Sequence, residues 1–401
     1  MIRRTTIQEM KERVVQDSHL SVKEIFLSTI DAAAERLLTN HPEAQVGAPL
    51  PTYDQVSTIL QKARSSVRPP LPSSRAAIEL GEAYTKTTNG QNFLLFNEGT
   101  TDRILGFSTN ELIIALCNAS TVFMDGTFRV VPEIFSQLYT LHGFYKDCMI
   151  PMAYFLLPNK DKDTYKRMFG LLKTHALSLG LTFNPPGFQL DFESSALLAI
   201  KETFPSAHRK GCFFHFTQCI WRKVQKFGLQ ADYKDPEVKR LVRSIGTLAL
   251  TPLERLDEAW MEIHAQSPGL DHPSYEKTLR LKQYFIETWM ENDEEFPRSL
   301  WNHYGNFSAR TTNHLEGWHR ALNRKVGKSH VNLFVMIEHL QKQERKFRTA
   351  MLQLRNGAKP PRPCKKYVDF NDKLRKFVED LESDERSLID YIKSAAFILP
   401  M

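Results

Sequence analysis

The stretch TVFMDGTFRVVPEIFSQLYTLHGFYKDCMIPMAYFLL, residues 121–157, decides the fold. Three runs within it are rich in β-branched and aromatic residues: Val122 to Val131, Gln137 to Tyr145 and Met149 to Leu157. Such residues suit a pleated, half-buried surface. The links at Pro132-Glu133 and Lys146-Asp147 are short, which predicts an antiparallel meander of three strands. Alternation follows. A helix is predicted from about Lys162 to Leu179, with Tyr165, Met168, Phe169, Leu172 and Ala176 on one face. Then come a strand over 187–191, a helix over 194–203, a strand over 207–214 and a helix over 216–227. A meander followed by strand–helix alternation is the pattern of an α/β fold with a mixed five-stranded sheet and flanking helices.

Towards the N-terminus, residues 92–107 read as a strand pair. Ser108 to Cys117 reads as a short helix with Ser108 as N-cap and Glu111 three residues on. Residues 6–40 have helical spacing (Ile25, Ile30, Ala33, Leu37, Leu38), which Gly47-Ala48-Pro49-Leu50-Pro51 breaks before a short helix from Tyr53 to Arg64. The prolines of Arg68-Pro69-Pro70-Leu71-Pro72 fix φ and remove donors, so an extended connector is expected there. Towards the C-terminus, 235–300 reads as all helix, as do 312–327 and 331–357, up to Lys359-Pro360-Pro361-Arg362-Pro363. The predicted organisation is an N-terminal helical and extended region (1–90), a sheet core (91–230), a helical insertion (231–305), the last core helices (306–358) and a C-terminal tail (359–401).

At 401 residues, 46.3 kDa and 42% hydrophobic, the chain can bury a sizeable core, which excludes wholesale disorder. Apolar runs such as Leu112 to Cys117 stop far short of the roughly 20 residues a membrane span needs, so no membrane partner is expected. The charged start argues against secretion, and five scattered cysteines point to a reducing compartment. The net charge of +7 is unevenly placed. Lys201 to Ile245 carries 10 Lys/Arg against 4 Asp/Glu, and Ala309 to Ala350 carries 9 against 3. Acids gather at the end instead (Glu379, Asp380, Glu382, Asp384, Glu385, Asp390), which reads as a solvated tail. A basic middle suits a polyanion, although ordinary charged helix faces give the same count.

Asp125 lies inside the first meander strand, where a carboxylate among apolar residues is costly unless paired, hydrogen-bonded or metal-bound. Asp191 ends the fourth strand, which this topology sets beside the first and parallel to it. Two converging carboxylates require a proton or a cation between them, and hard divalent ions supply the latter. Asp191 also reads as a helix N-cap for the segment starting at Ser194. A third acid would complete an open-sided metal site, and spacing alone does not choose Glu316 over Glu193.

Several ordered motifs resemble the Mutator-like element (MULE) transposase domain family. They are Phe123-Met124-Asp125-Gly126-Thr127-Phe128, Gln137-Leu138-Tyr139-Thr140-Leu141-His142-Gly143, Leu156-Leu157-Pro158-Asn159-Lys160, Asp191-Phe192-Glu193, Gly211-Cys212-Phe213-Phe214-His215-Phe216 through Trp221-Arg222-Lys223, Arg310-Thr311-Thr312-Asn313 and Glu316-Gly317-Trp318-His319. The likeness runs from about residue 90 to 345. Animal members of that family are often linked to FLYWCH-type zinc fingers; no such finger spacing occurs here.

The resemblance implies an RNase H-like fold, interrupted by the helical insertion, with an Asp-Asp-Glu triad of Asp125, Asp191 and Glu316. It also implies phosphodiester cleavage and strand transfer on DNA, supported by two Mg²⁺ or Mn²⁺ ions between the acids, in the nucleus, with a homo-oligomer left open. Arg222, Lys223, Lys226, Arg310, Arg320, Arg324 and Lys325 would then meet phosphates. Cys212 and His215 form a Cys-x₂-His element which, with Cys219 one helical turn on and His314 and His319 flanking Glu316, offers ligands for a structural Zn²⁺ if the two segments meet, the other reading being a buried Cys and a hydrogen-bonded His. Trp221, Trp301 and Trp318 read as core residues before base-stacking platforms, and Trp318, beside Glu316, is the one to test for a DNA contact. The alternative reading is a host-adopted, catalytically silent DNA-binding or regulatory protein that keeps the scaffold.

Overall fold

The structure, a computed structural model, describes residues 2–17, 20–40, 50–362 and 364–399. The break expected at Gly47-Ala48-Pro49 and the last proline of the 359–363 run lie outside the described residues. Seven strands form one sheet: β1 (Leu94–Glu98), β2 (Ile104–Phe107), β3 (Thr121–Thr127), β4 (Gln137–Tyr145), β5 (Cys148–Leu157), β6 (Gly187–Leu190) and β7 (His208–Gly211). Their order is β1-β2-β5-β4-β3-β6-β7. The meander and its parallel continuation are as the alternation predicts. The sheet has seven strands rather than five because the β1–β2 hairpin adds to the open edge of β5.

The β4–β5 hairpin turns on Lys146 (φ 46°) and Asp147 (φ 62°), two successive left-handed residues whose primed turn matches the strand twist. Pro151 sits inside β5, opposite a register shift at Leu141/His142, because a proline cannot donate to a regular ladder. β3 is shorter than expected: it ends at Thr127, and Phe128 to Val131 turn away before Pro132.

The helices are placed around this sheet. α1 (Ile2–Gln16), α2 (Val22–Asn40) and α3 (Tyr53–Ser66) pack on Met10, Val14, Ile25, Phe26, Val56 and Leu60, so the single helix expected over 6–40 is two. α4 (Glu82–Thr85) precedes β1, and α5 (Asn110–Cys117) follows β2. The cap of α5 is Thr109, whose side chain accepts from the Leu112 amide, and not Ser108, whose hydroxyl donates to the Met152 carbonyl. α6 (Lys162–Ser178) and α7 (Ser194–Thr203) form the crossovers to β6 and β7. Glu193, not Asp191, occupies the cap position of α7.

α8 (Phe213–Lys226) starts immediately after β7 and turns Phe213, Phe216, Ile220 and Val224 into a second core. That core is shared with α9 (Pro236–Thr247), α10 (Leu256–Ala265), α11 (Tyr275–Phe285) and α12 (Arg298–Trp301). At its centre Phe216 stacks on Trp301 with ring centroids 5.2 Å apart. α13 (Asn313–Val326) returns to the sheet and stops at Gly327, which takes the left-handed φ of 76° that a side chain would resist. α14 (Leu333–Arg355) then crosses beside β5. The acidic end is not a solvated tail. α15 (Lys365–Glu382) and α16 (Leu388–Ile398) bury Leu374, Val378, Leu381, Leu388, Tyr391 and Ile392 in the second core and leave their acids outside.

Candidate catalytic site

Sheet register gathers the acids. Asp125 pairs with Thr140 and Phe123 with His142 across the β3–β4 ladder. The parallel β3–β6 ladder pairs Phe123 with Gln189, so continuing it by two residues sets Asp191, just past β6, beside Asp125. Paired residues, and residues two apart, share a face. Asp125, Thr140, His142 and Asp191 therefore belong to one side of the sheet. α13 packs against β3, and its Glu316 and His319 are three residues apart on one helix face.

The distances follow from that stacking. His319 Nε2 lies 3.9 Å from Asp125 Oδ2 and 3.2 Å from Thr140 Oγ1. Thr140 Oγ1 is in turn 3.1 Å from His142 Nε2. From the first turn of α8, His215 Nε2 stands 3.5 Å from Glu316 Oε1. Asp125 Oδ1 accepts from the Gly126 amide at 2.8 Å.

Burial dominates the electrostatics. It pushes the Asp125 carboxyl up to about 7, with the negative charges of Asp191 and Glu316 adding to the effect, while His215 and the Gly126 amide oppose it. Burial also raises Asp191, against the pull of His215, backbone amides and Lys160. His215 goes the other way. Burial alone would lower it, but the neighbouring Cys212 sulfur and the charges of Asp191 and Glu316 prevail and hold it up at about 9. Burial depresses His319 to about 4 and takes His142 well below its ordinary value. At neutral pH the pocket thus holds one imidazolium, two neutral imidazoles and a set of carboxyls reluctant to ionise together.

The choice between the two glutamates that spacing leaves open acquires a physical difference. Glu193 Oε1 accepts from the Tyr165 hydroxyl at 2.7 Å, and that hydroxyl accepts from Gln137 Nε2 at 2.8 Å. Glu316 Oε1 is buried with no hydrogen-bond partner. Three acids supplying only oxygen suit a hard divalent cation, and Glu316 Oε1, met by the His215 imidazole at 3.5 Å but by no hydrogen bond, is an atom such an ion would satisfy. Among the described residues, no group of three or more His, Cys, Asp and Glu side chains is gathered closely enough to hold an ion as it stands. Asp125 is held instead by the Gly126 amide, with the His319 imidazole 3.9 Å away, and Glu316 has the His215 imidazole at 3.5 Å.

The remaining sequence candidates divide by burial. Cys212 is buried, and its Sγ accepts from both the amide and the hydroxyl of Thr312 at 3.2 Å, tying the end of β7 to the start of α13. His215 faces Glu316, Cys219 is half-buried on α8, and His314 is exposed with its ring 6.5 Å from that of Phe144. Arg222, Lys226, Arg320, Arg324 and Lys325 are exposed, and Lys223 lies half-buried with Nζ 4.3 Å from the Tyr284 ring centroid.

One expectation needs correcting. Arg310 is only 1% exposed and donates to the Asn306 carbonyl at 2.8 Å and to Asn371 Oδ1, so its guanidinium serves the core rather than a phosphate. Trp318 is buried too. It packs against Tyr154 with centroids 5.7 Å apart and donates Nε1–H to Gln343 Oε1 at 3.2 Å, as the core reading of the tryptophans expects. Sequence reasoning missed Thr140 and His142 as members of the site. Their signal was available: a polar pair two residues apart in an apolar strand points to the face that carries Asp125.

Residues 121–219 match the family model of the MULE transposase domain. The matched segment runs from β3 into α8 and includes Asp125, Asp191, Cys212 and His215, while Glu316 lies beyond it. No curated protein matches the chain. No helix among the described residues is long and apolar enough to cross a membrane.

Proposed function

We propose that the chain is a DNA transposase of the MULE type, or a protein derived from one, that cleaves and transfers DNA strands in the nucleus. The reading rests on Asp125 and Asp191 lying side by side on one face of the sheet, inside the family-matched segment, with Glu316 of α13 near enough for its charge to act on Asp125. The strand order β5-β4-β3-β6-β7 supports an RNase H-like core, with β1 and β2 as an added edge. In this reading Asp125, Asp191 and Glu316 would hold divalent ions, Mg²⁺ or Mn²⁺. When bound, such ions supply charge stabilisation for attacking and leaving oxygens in phosphodiester displacement.

The chain's own residues do the rest. His319, neutral and hydrogen-bonded to Thr140, covers the Asp125 carboxylate with Nε2 3.9 Å from Oδ2 and excludes water from that side. His215 holds Glu316 on the opposite side and offsets the negative charge of the acids until DNA is engaged. The Gly126 amide fixes one Asp125 oxygen and leaves the other facing the pocket. Burial keeps bulk water from competing at the acids.

The test is nicking of supercoiled plasmid by the purified chain with Mg²⁺ or Mn²⁺. The expected result is metal-dependent relaxation, reduced by at least ~10³-fold in Asp125→Asn and in Glu316→Gln, because removing a ligand acid loses transition-state stabilisation of several kcal/mol. Binding without metal-dependent cleavage would instead mark a catalytically silent DNA-binding descendant of the same scaffold.

A further inference from the structure

A cleft of about 730 Å³ opens between the start of α2 and the outer face of α14. Lys325, at the end of α13, and Lys342, Arg345 and Lys346 on α14 line it, against one carboxylate among the described residues, Glu24 of α2. Lys325, Arg345 and Lys346 are exposed, and none of the four cations has a carboxylate oxygen within ion-pair distance among the described residues. The neighbouring acid on α14, Glu338, is already held by Arg68 through two contacts of 2.8 Å. An unneutralised row of cations on a rigid helix is an electrostatic footprint for a polyanion.

The cleft also leads somewhere. Lys325, Gln343 and Lys346 line a second, smaller cleft of about 240 Å³ together with His142, His314 and Trp318. His314 and Trp318 flank Glu316 in the chain, and His142 is joined to His319 and Asp125 through Thr140. A strand lying in the basic cleft is thereby directed at the acids. From His339 to Gln353 the helix runs roughly 20 Å, enough to follow several phosphates of one strand.

We propose that this cleft, walled by the start of α2 on one side and α14 on the other, is the track of the DNA backbone on its way to the candidate catalytic site. The assignment rests on the function proposed above for the choice of DNA among polyanions. It gives residues of the N-terminal helical unit a place in DNA engagement, and it puts the main phosphate contacts on α14 rather than on α8.

The experiment measures binding of the full chain to a labelled duplex of arbitrary sequence, about 30 base pairs long, over a salt series in EDTA. Without divalent ions, the result does not depend on whether the acids cleave. The combined variant Lys325→Gln, Arg345→Gln, Lys346→Gln alters exposed side chains only, which keeps the fold intact. Neutralising three phosphate contacts is expected to weaken binding at about 100 mM salt by ~30-fold or more and to make the log–log salt slope shallower by about 2–3. The reverse variant, Gln353→Lys, adds a cation to the cleft wall and should steepen the slope by about 1. Binding within about threefold of wild type and an unchanged slope in the triple variant overturn the proposal, as does tighter binding to duplex RNA than to DNA. The Arg222→Gln, Lys226→Gln pair on α8 is the comparator, and a larger loss there than in the triple variant also overturns it. Retained nicking by a triple variant of unaltered affinity would sink the track and leave the catalytic reading standing.

Discussion

The pocket under α13 and the cleft along α14 treat charge in opposite ways. In the pocket, Asp125 and Asp191 lie half-buried side by side on one face of the sheet with Glu316 of α13 near them, and burial lifts the first two towards their neutral forms. In the cleft, Lys325, Arg345 and Lys346 stay exposed without acid partners. Desolvating a charge costs far more than leaving it wet. The pocket therefore stores a penalty that a chemical role would explain, while in the cleft only the half-buried Lys342 is lowered by burial and the three exposed cations store almost none. Net charge, which is all that composition reports, cannot tell these two situations apart.

The sharpest way to break the contrast is to remove the penalty. Asp125 titrates near 7 in the fold, against about 3.9 in an unfolded chain. Below about pH 4 both states carry the proton, and the folded state loses nothing. Between about 4 and 7 the folded state keeps a proton the unfolded state has released, so stability falls as pH rises, by up to about 4 kcal/mol once pH exceeds 7. Asp125→Asn should abolish that slope. In EDTA at pH 8 the variant should be more stable than wild type by about 2–4 kcal/mol, and at pH 4 the two should nearly coincide. Urea titrations at the two pH values check this; a variant less stable at pH 8 would mean that Asp125 is a satisfied structural acid.

Arg310 breaks the contrast from the other side, because it is a cation treated like the pocket's acids. Its guanidinium lies under Phe370, with its carbon 5.1 Å from the ring centroid, and joins the 306–310 loop to Asn371 of α15. Arg310→Ala leaves two buried acceptors unpaired and opens a hole, for a loss of about 3 kcal/mol. Since α15 is anchored there, the loss should appear as a lowered denaturation midpoint with metal-free DNA affinity close to wild type. An affinity loss without destabilisation would return Arg310 to the phosphate contacts.

How much of this was legible follows from which forces are local. β4 is read correctly from its composition and β5 to within one residue, because strand residues between turn residues form a local signal. Asp125 and Asp191 stand out because an acid in an apolar strand is anomalous in any context. The added edge strands, by contrast, depend on which side of β5 is left open. The preference for Glu316 depends on Tyr165 reaching Glu193, a contact 28 residues apart in the chain. Arg310 gives no sign in sequence that it will be enclosed. The C-terminal acids misled for a simpler reason: Leu374, Val378 and Leu381 repeat at helical spacing between them, and counting charges hid the stripe.

Trp318 offers the smallest and most local test, because it sits between the two regions compared above. It is two residues from Glu316, it lines the smaller cleft, and yet its ring is packed against Tyr154, His142 and His319. Its one polar atom is satisfied by Gln343, on the helix that carries the basic row. Trp318→Phe removes that hydrogen bond and part of the ring while keeping an aromatic core, so a loss of about 1–2 kcal/mol is expected. If the ring is core, the variant's DNA affinity in EDTA and its salt slope remain those of wild type, because no phosphate or base contact has been lost. If the ring instead stacks on DNA, affinity falls by roughly tenfold, as expected for loss of one base-stacking platform, while the salt slope is unchanged, because stacking releases no counterions. The two readouts together separate a residue that holds α13 over the acids from one that touches what the acids act on.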